Sequence, residues 1–399
     1  MLRSRIVWKL TGLLGLAGVV GFSSMHPHYT ANPGHKKEPA AQVQAIDLSR
    51  GEEAVSNAPP LTVAGFGSKC DVDGDIYLAY SGSAVVMSES GGMNQIPVSR
   101  IAPDSMQITK YPVPPRIPDL QGRVARYGFD VSSDGTFYAL FNTARRALDG
   151  KMIPEWVIAK YNDDGTIDSY INIGRVAGKR IQPLRMAVFG NGDFLLTGTT
   201  VLENGLGTFT GLFDQSGDLV RMLALGKPVT DLAHHRSVNP AGKPSQPPSH
   251  SKELEAQANN PVSLESSILT VSAADGNVYL LQGTGRATLY VIDSQGEVLR
   301  HFNIKPPQPG LSPLQMAQAG AGHLFIYYGY VSTGSPEDKN HPRAMITVLS
   351  TTTGDVTAVY RMPKGQTLLL PGCAPSSRKF TFLTTSKDNH LALIPYSVP

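Results

Sequence analysis

The side chains best suited to chemistry in this sequence are arginines that recur at one point of a repeated phrase. Arg123 and Arg126 precede one hydrophobic run, Arg180 and Arg185 precede the next, and Arg286 lies between two later runs. A guanidinium offers a planar fork of donors that matches a carboxylate or a phosphate. Gathered around one opening, these five would accept an anion, with Arg145 and Arg146 nearby. Histidines are a second possibility: His234, His235 and His250 fall within forty residues' reach of the same polar, Pro-containing stretch. Their spacing fits no tight ligand pattern, and the stretch reads as an exposed loop. A third is the run Asp71-Val72-Asp73-Gly74-Asp75, which begins like a calcium loop. Such a loop needs Gly at its sixth position and Glu at its twelfth, where Ile76 and Gly82 stand, so a hairpin turn is the better reading. No nucleophile elbow, H-E-x-x-H helix, P-loop or C-x-x-C pair occurs. The sequence therefore assigns no catalytic residue, no metal ligand and no cofactor; calcium has no motif to hold it.

The elements that position these residues are repeats. A hydrophobic run meets a Gly-containing turn, a second run follows, and a similar hairpin comes next. The clearest copy spans Tyr127–Ile173, with GFDVSS-DG-TFYALF followed by WVIAKYN-DDG-TIDSYINI. The phrase occurs about six times, which predicts stacked four-stranded sheets arranged as a β-propeller. The class is all-β, with six four-stranded blades; a seventh would need more than one strand from the N-terminal segment. Runs such as TFYALF and VYLLQ are apolar on both sides, as expected where neighbouring blades cover both faces of a strand. The sixth copy ends one strand short. Val43–Ser49 (VQAIDLS) belongs to no other repeat and is expected to complete the last sheet, closing the ring.

With the strands of each repeat lettered a to d, the a–b and c–d turns fall on one face and the b–c loops and d–a links on the other. The first class is short and Gly-rich, supplying the positive φ that tight hairpins require. The second is longer: Ser81–Asn94, Asn142–Pro154, Thr199–Thr208 and Val331–Pro342, plus an insertion at 226–264 with a short helix candidate, Lys252–Ala258. Elaboration confined to one face marks it as the binding face.

Cys70 and Cys373 are the two cysteines, at equivalent places in the first and last repeats. Those repeats are neighbours in a closed ring, so a disulfide between them is expected, provided the Cα atoms come within ~7 Å. It would close a loop of about 300 residues and contribute ~5 kcal/mol in the chain-entropy model.

Hydrophobic residues make up 41% and charged residues 17%, with 40 Gly and 30 Pro, a balance that suits many short strands and turns. Residues 1–23 read as a signal peptide: Arg3, Arg5 and Lys9, then the apolar Leu10–Phe22, then a small-x-small cleavage site at Gly21-Phe22-Ser23. The apolar core is short for a membrane span, which needs ~20 residues; retention as an uncleaved anchor is the alternative. Residues 24–42 read as a flexible linker and 43–399 as the propeller. An exported chain, periplasmic or extracellular, follows. Of the 35 Lys and Arg, three lie in the leader, which leaves 32 against 32 Asp and Glu. Net neutrality argues against a strong global field for nucleic acid or anionic lipid.

VSSDGTFYAL (Val131–Leu140), SAADGNVYLL (Ser272–Leu281) and VIDSQGEVL (Val291–Leu299) give the pattern V-S-x-D-G-x-x-Y-x-L followed by V-x-D-x-x-G-x-V. The chain resembles exported bacterial six-bladed propellers of the NHL and TolB-like type over about residues 43–399. The resemblance implies a scaffold that binds proteins, glycans or small ligands at one face. Some of these relatives are metal-dependent lactonases with calcium in the central channel. The expectation is a non-catalytic binding module, monomeric, with an envelope or extracellular protein or a small anionic ligand at the long-loop face. The alternative is a metal-dependent hydrolase or lyase with its site at the channel.

Overall fold

The computed structural model describes residues 43–52, 54–55, 62–81, 96–174, 176, 178–202, 205–225, 268–283, 287–330, 344–362, 370–385 and 390–399. The proposed signal peptide and linker, the whole insertion at 226–264 with its histidines and helix candidate, and Arg286 lie outside these residues.

Three short N-terminal strands, β1 (Ile46–Asp47), β2 (Ser49–Arg50) and β3 (Ala54–Val55), precede six sheets. Blade 1 is β4 (Thr62–Cys70), β5 (Ile76–Ser81), β6 (Val98–Ile101) and β7 (Ile108–Tyr111). Blade 2 is β8 (Ala125–Val131), β9 (Phe137–Arg146), β10 (Met152–Tyr161) and β11 (Ile167–Asn172). Blade 3 is β12 (Ile181–Val188), β13 (Phe194–Leu202), β14 (Gly205–Phe213) and β15 (Leu219–Met222). Blade 4 is β16 (Leu269–Ser272), β17 (Val278–Gln282), β18 (Ala287–Ile292) and β19 (Val298–Ile304). Blade 5 is β20 (Leu311–Gln318), β21 (His323–Tyr330), β22 (Met345–Ser350) and β23 (Val356–Arg361). Blade 6 is β24 (Leu370–Ser376), β25 (Lys379–Thr385) and β26 (Leu391–Ser397). Each blade is an antiparallel meander. The first strands touch in ring order, β4 to β8 to β12 to β16 to β20 to β24 and back to β4, so they line the axis and the ring is closed.

Burial follows from that placement. The second strand of a blade is covered on both faces, as in β17, where all five residues are buried. The outer strand is wet, as in β19, where five of seven are exposed. The core is accordingly six wedges, one between each pair of blades. Aromatic residues of the repeat fill them: Tyr77 stacks on Phe137 between blades 1 and 2, and Tyr138 meets Phe194 edge-on between blades 2 and 3.

The fourth strand of the last blade comes from the N-terminal segment, as expected, but the pairing starts one blade earlier. Ile46–Asp47 lies parallel to β23 of blade 5, where Asp47 meets Arg361 at 3.0 Å. Leu48 then turns inward between blades 5 and 6, and Ser49–Arg50 and Ala54–Val55 pair antiparallel with β26. One segment thus ties together two outer edges. At the other side of the closure Cys70 and Cys373 form a disulfide, with Cα atoms 5.7 Å apart across 303 residues of sequence. It joins β4 to β24, the inner strands of the first and last blades.

Candidate functional site

The axis of the ring is crossed by polar side chains. Lys69 of blade 1 places its Nζ 3.1 Å from Asp130 Oδ1 of blade 2. The same ammonium donates to the Thr270 carbonyl of blade 4, the blade opposite its own. Asp130 Oδ2 accepts the Ser272 hydroxyl of blade 4 and the Val188 N–H of blade 3, the latter at 2.9 Å. Thr270 Oγ1 donates to the Met186 carbonyl of blade 3 at 3.2 Å. Gln315 of blade 5 donates through Nε2 to Ser68 Oγ of blade 1 at 2.7 Å and to the Gly372 carbonyl of blade 6 at 3.3 Å. Every inner strand contributes, and Asp130 is 2% exposed. A buried carboxylate is tolerated only when paired and hydrogen-bonded; here one ammonium, one hydroxyl and one amide satisfy it.

Local sequence explains how the inner strands reach one another. Blades 3 and 5 share a phrase, Pro183-Leu184-Arg185-Met186-Ala187 and Pro313-Leu314-Gln315-Met316-Ala317. In both the ladder slips by one residue just after the proline. An inner strand has one edge free of ladder partners, which is where proline and bulges are accepted. The bulge re-aims the next side chain across to the following blade: Arg185 Nε donates to the Ile268 carbonyl of blade 4 at 3.2 Å, and Gln315 reaches blade 6. Gly198 faces this slip, and a Cβ there would run into the Gln182 carbonyl.

The proposed anion residues fall in three settings. Arg123 and Arg180 are exposed, in the links that enter blades 2 and 3, and Arg180 offers its carbonyl to the Val201 N–H at 3.1 Å. Arg185 is half-buried below them on β12. Arg126 is 5% exposed, between blades 1 and 2, with its guanidinium donating to the Ile96 carbonyl and lying 5.9 Å from the Phe129 ring centroid. Loss of solvent pulls the Arg126 guanidinium down to about 10. The slip between Arg126 and Gly128 turns Arg126 to the side of Phe129. Arg145 is paired with Glu155 at 2.7 Å on the blade 2 hairpin.

The two faces differ sharply in charge. In blades 1 to 3 the a–b and c–d turns carry ten carboxylates and no basic residue. The described links and b–c loops of the same blades carry seven basic residues, Arg116, Arg123, Arg145, Arg146, Lys151, Lys179 and Arg180, against Asp119, Asp149 and Glu155. The small net charge of +3 therefore hides a separation of charge across the described part of blades 1 to 3, which net charge alone could not reveal. The turn carboxylates close their own loops: Asp214 accepts the N–H groups of Ser216 and Asp218, and Asp293 those of Gln295 and Glu297. The Asp71–Asp75 run is such a turn, with Asp71 accepting the N–H groups of Asp73 and Asp75.

Among the described residues the groups that meet across the axis are one carboxylate, already paired with an ammonium, together with amide side chains, hydroxyls and backbone atoms. Among the described residues no three His, Cys, Asp or Glu converge on one point.

These observations define a six-bladed β-propeller with a bridged axis and two electrostatically opposed faces. Neither a protein-family model nor a curated protein matches the chain. Among solved structures it is similar to a protein of unknown function from Dyadobacter fermentans, at 12% identity over 88% of this chain and 99% of that one, with a TM-score of 0.47. A luciferin-regenerating enzyme gives 12% identity over 88% and 95%, with a TM-score of 0.43. The Dos1 propeller gives 9% identity over 82% and 76%, with a TM-score of 0.36. The architecture stated above rests on the six sheets of this chain itself.

Proposed function

We propose that the chain is an exported propeller of the NHL/TolB-like type, acting as a non-catalytic binding module. Its ligand is a small anion or the acidic surface of an envelope or extracellular protein, taken at the long-loop face of blades 1 to 3. The observation that carries this reading is the charge separation: in blades 1 to 3 the described basic residues gather on the face with the longer loops, while several carboxylates of the opposite face, Asp71, Asp134, Asp164 and Asp214 among them, are engaged in their own turns. Arg123, Arg180 and Arg185 form the contact set. Arg126, buried beneath them, holds the blade 1–2 wedge that supports the mouth. The disulfide supports export, since such bonds persist in oxidising compartments, and among the described residues no helix is long and apolar enough to cross a membrane.

The test is a thermal-shift comparison of the wild-type chain and the double variant Arg180→Ala/Arg185→Ala with inorganic phosphate, citrate and a sulfated glycan. A ligand at 100 times its Kd adds ~2.7 kcal/mol to stability, a readable rise in Tm. Stabilisation of the wild type by one of these probes, absent in the double variant, supports the reading. An equal shift in both proteins, or none with any probe, removes it.

A further inference from the structure

Among the described second and third strands those of blades 2 and 3 are the longest: β9 and β10 have ten residues each, and β13 and β14 nine each, against five and six in blade 4. The two hairpins stand on the same face in adjacent blades. Exposed apolar side chains stand near their ends. Leu148, at the apex of the first, is fully exposed; Met152 beside it is 46% exposed and Val201 on the second is 54% exposed. The first apex is a fixed turn, not a loose one. The Ala147 N–H reaches the Lys151 carbonyl at 2.8 Å, Gly150 takes the positive φ of 82°, and Leu148 is held outward. Exposed apolar side chains at the extremities of a soluble domain mark an interaction site.

Basic residues stand directly behind these tips. Arg146 pairs across the strands with Met152, Lys151 closes the apex, and Arg180 adjoins Val201 through its carbonyl. Asp149 and Glu155 are taken up by Lys151 at 2.9 Å and Arg145 at 2.7 Å, so among the described residues the local excess is positive. We propose that these two hairpins dock on an anionic lipid bilayer. Leu148, Met152 and Val201 enter the interface, and Arg146, Lys151 and Arg180 meet the headgroups.

The proposal rests on the reading of the long-loop face as the binding face and names its partner. Charge complementarity selects an anionic surface. The shape selects a fluid one: an apex leucine exposed on all sides suits a medium that closes around it, whereas a protein would need a socket for each tip. Apolar tips inserting below a ring of Lys and Arg is the arrangement by which peripheral proteins hold an interface. The ten turn carboxylates of the far face are repelled by the same surface and so orient the ring, tips down.

The experiment uses the full chain with an environment-sensitive fluorophore at Leu148→Cys, at Val201→Cys, or at Gln295→Cys on the turn face as control. The native thiols are already paired. Each is mixed with phosphatidylcholine vesicles, with the same vesicles containing phosphatidylglycerol, and with soluble polyglutamate. A blue shift of both tip labels with phosphatidylglycerol vesicles alone is expected, with the control label silent. Partitioning should fall about tenfold in Arg146→Glu/Arg180→Glu and on raising salt, which shortens the reach of such attractions from ~10 Å at about 0.1 M to ~3 Å at about 1 M. Four results would overturn the proposal. These are no tip shift with phosphatidylglycerol vesicles, even if the protein pellets with them; an equal shift with pure phosphatidylcholine; a shift with polyglutamate but not vesicles, which assigns an acidic protein; and a concentration-dependent shift without either, which assigns a second copy. If the vesicle arm fails while phosphate, citrate or the sulfated glycan still stabilises the protein, only the lipid assignment falls. If both fail, the reading of the face falls with it.

Discussion

The turns on one face of the ring and the loops on the other are made by the same repeat, yet they handle charge in opposite ways. On the turn face a carboxylate is a local structural device. Asp214 spends its oxygens on the N–H groups of Ser216 and Asp218 and on the Ser216 hydroxyl, and the same Asx geometry recurs at Asp134, Asp164 and Asp293. On the long-loop face of blades 1 to 3 the basic residues close few turns; they stand beside extended hairpins with exposed apolar side chains near their ends. The difference teaches that charge on a propeller must be read by where its hydrogen bonds go. A carboxylate used up by its own backbone belongs to the fold, whereas a cation projecting beside an apolar tip is available to a partner. The axial network lies between the two and belongs with the fold.

That division can be broken by separating stability from binding. The largest expected effect is on the ring closure. Reduction, or Cys70→Ser with Cys373→Ser, should cost ~5 kcal/mol by the chain-entropy argument, read as a lowered urea midpoint with the blades otherwise intact. An unchanged midpoint would mean that the N-terminal segment closes the ring unaided. Next comes the axis: Asp130→Ala leaves the partly buried Lys69 ammonium without its counter-charge, and removing one partner of such a pair costs about 3 kcal/mol. Denaturation of Asp130→Ala beside the double variant Asp130→Ala/Lys69→Met tests it, because the double variant removes both charges and should lose less.

On the turn face, Asp214→Ala forfeits a cap worth about 1 kcal/mol and should leave probe binding at the long-loop face unaltered; a loss of binding would break the division of labour. The Ser216 hydroxyl hydrogen bond holds the Asp214 carboxyl below its ordinary range. Its contribution is therefore present above the unfolded-state value and lost as pH falls through the folded one. Asp71 works in the reverse sense, since burial raises its carboxyl despite the backbone bonds it accepts. The folded state there prefers the proton, so the ionised form carries a penalty at neutral pH that acid relieves. Asp71→Asn keeps an acceptor oxygen and should gain a few tenths of a kcal/mol at pH 7, with the gain vanishing on acidification. A loss at pH 7 would show that the carboxylate charge itself is needed in that turn.

Much of the architecture was legible because it is local. Asp-Gly and Ser-x-Gly turns, doubly apolar second strands and a six-fold phrase dictate hairpins and their stacking; the paired cysteines followed from equivalent positions in repeats that must meet. The phrase Pro-Leu-x-Met-Ala in blades 3 and 5 was visible too, and its repetition is the signal that would have pointed to Arg185 and Gln315 as cross-blade residues. The site was far less legible. Arg126 and Arg185 are the second and fifth residues of equivalent strands, but a ladder slip sends one into a wedge and the other toward the next blade. Lys69, Asp130 and Ser272 meet on the axis from 61 and 142 residues apart, and nothing in their separate surroundings marks them as partners.

The sequence by itself determined most of the strands and turns and pointed to six blades and the covalent closure, because each depends on neighbours in the chain or on the period of the repeat. Tertiary structure alone decided which polar side chains cross the axis, which arginine is buried, and that a neutral composition becomes an acidic face opposed to a basic one. Those depend on bulge geometry and ring closure, which bring residues from opposite blades within a hydrogen bond's length and sort charge by face, whereas composition only sums it.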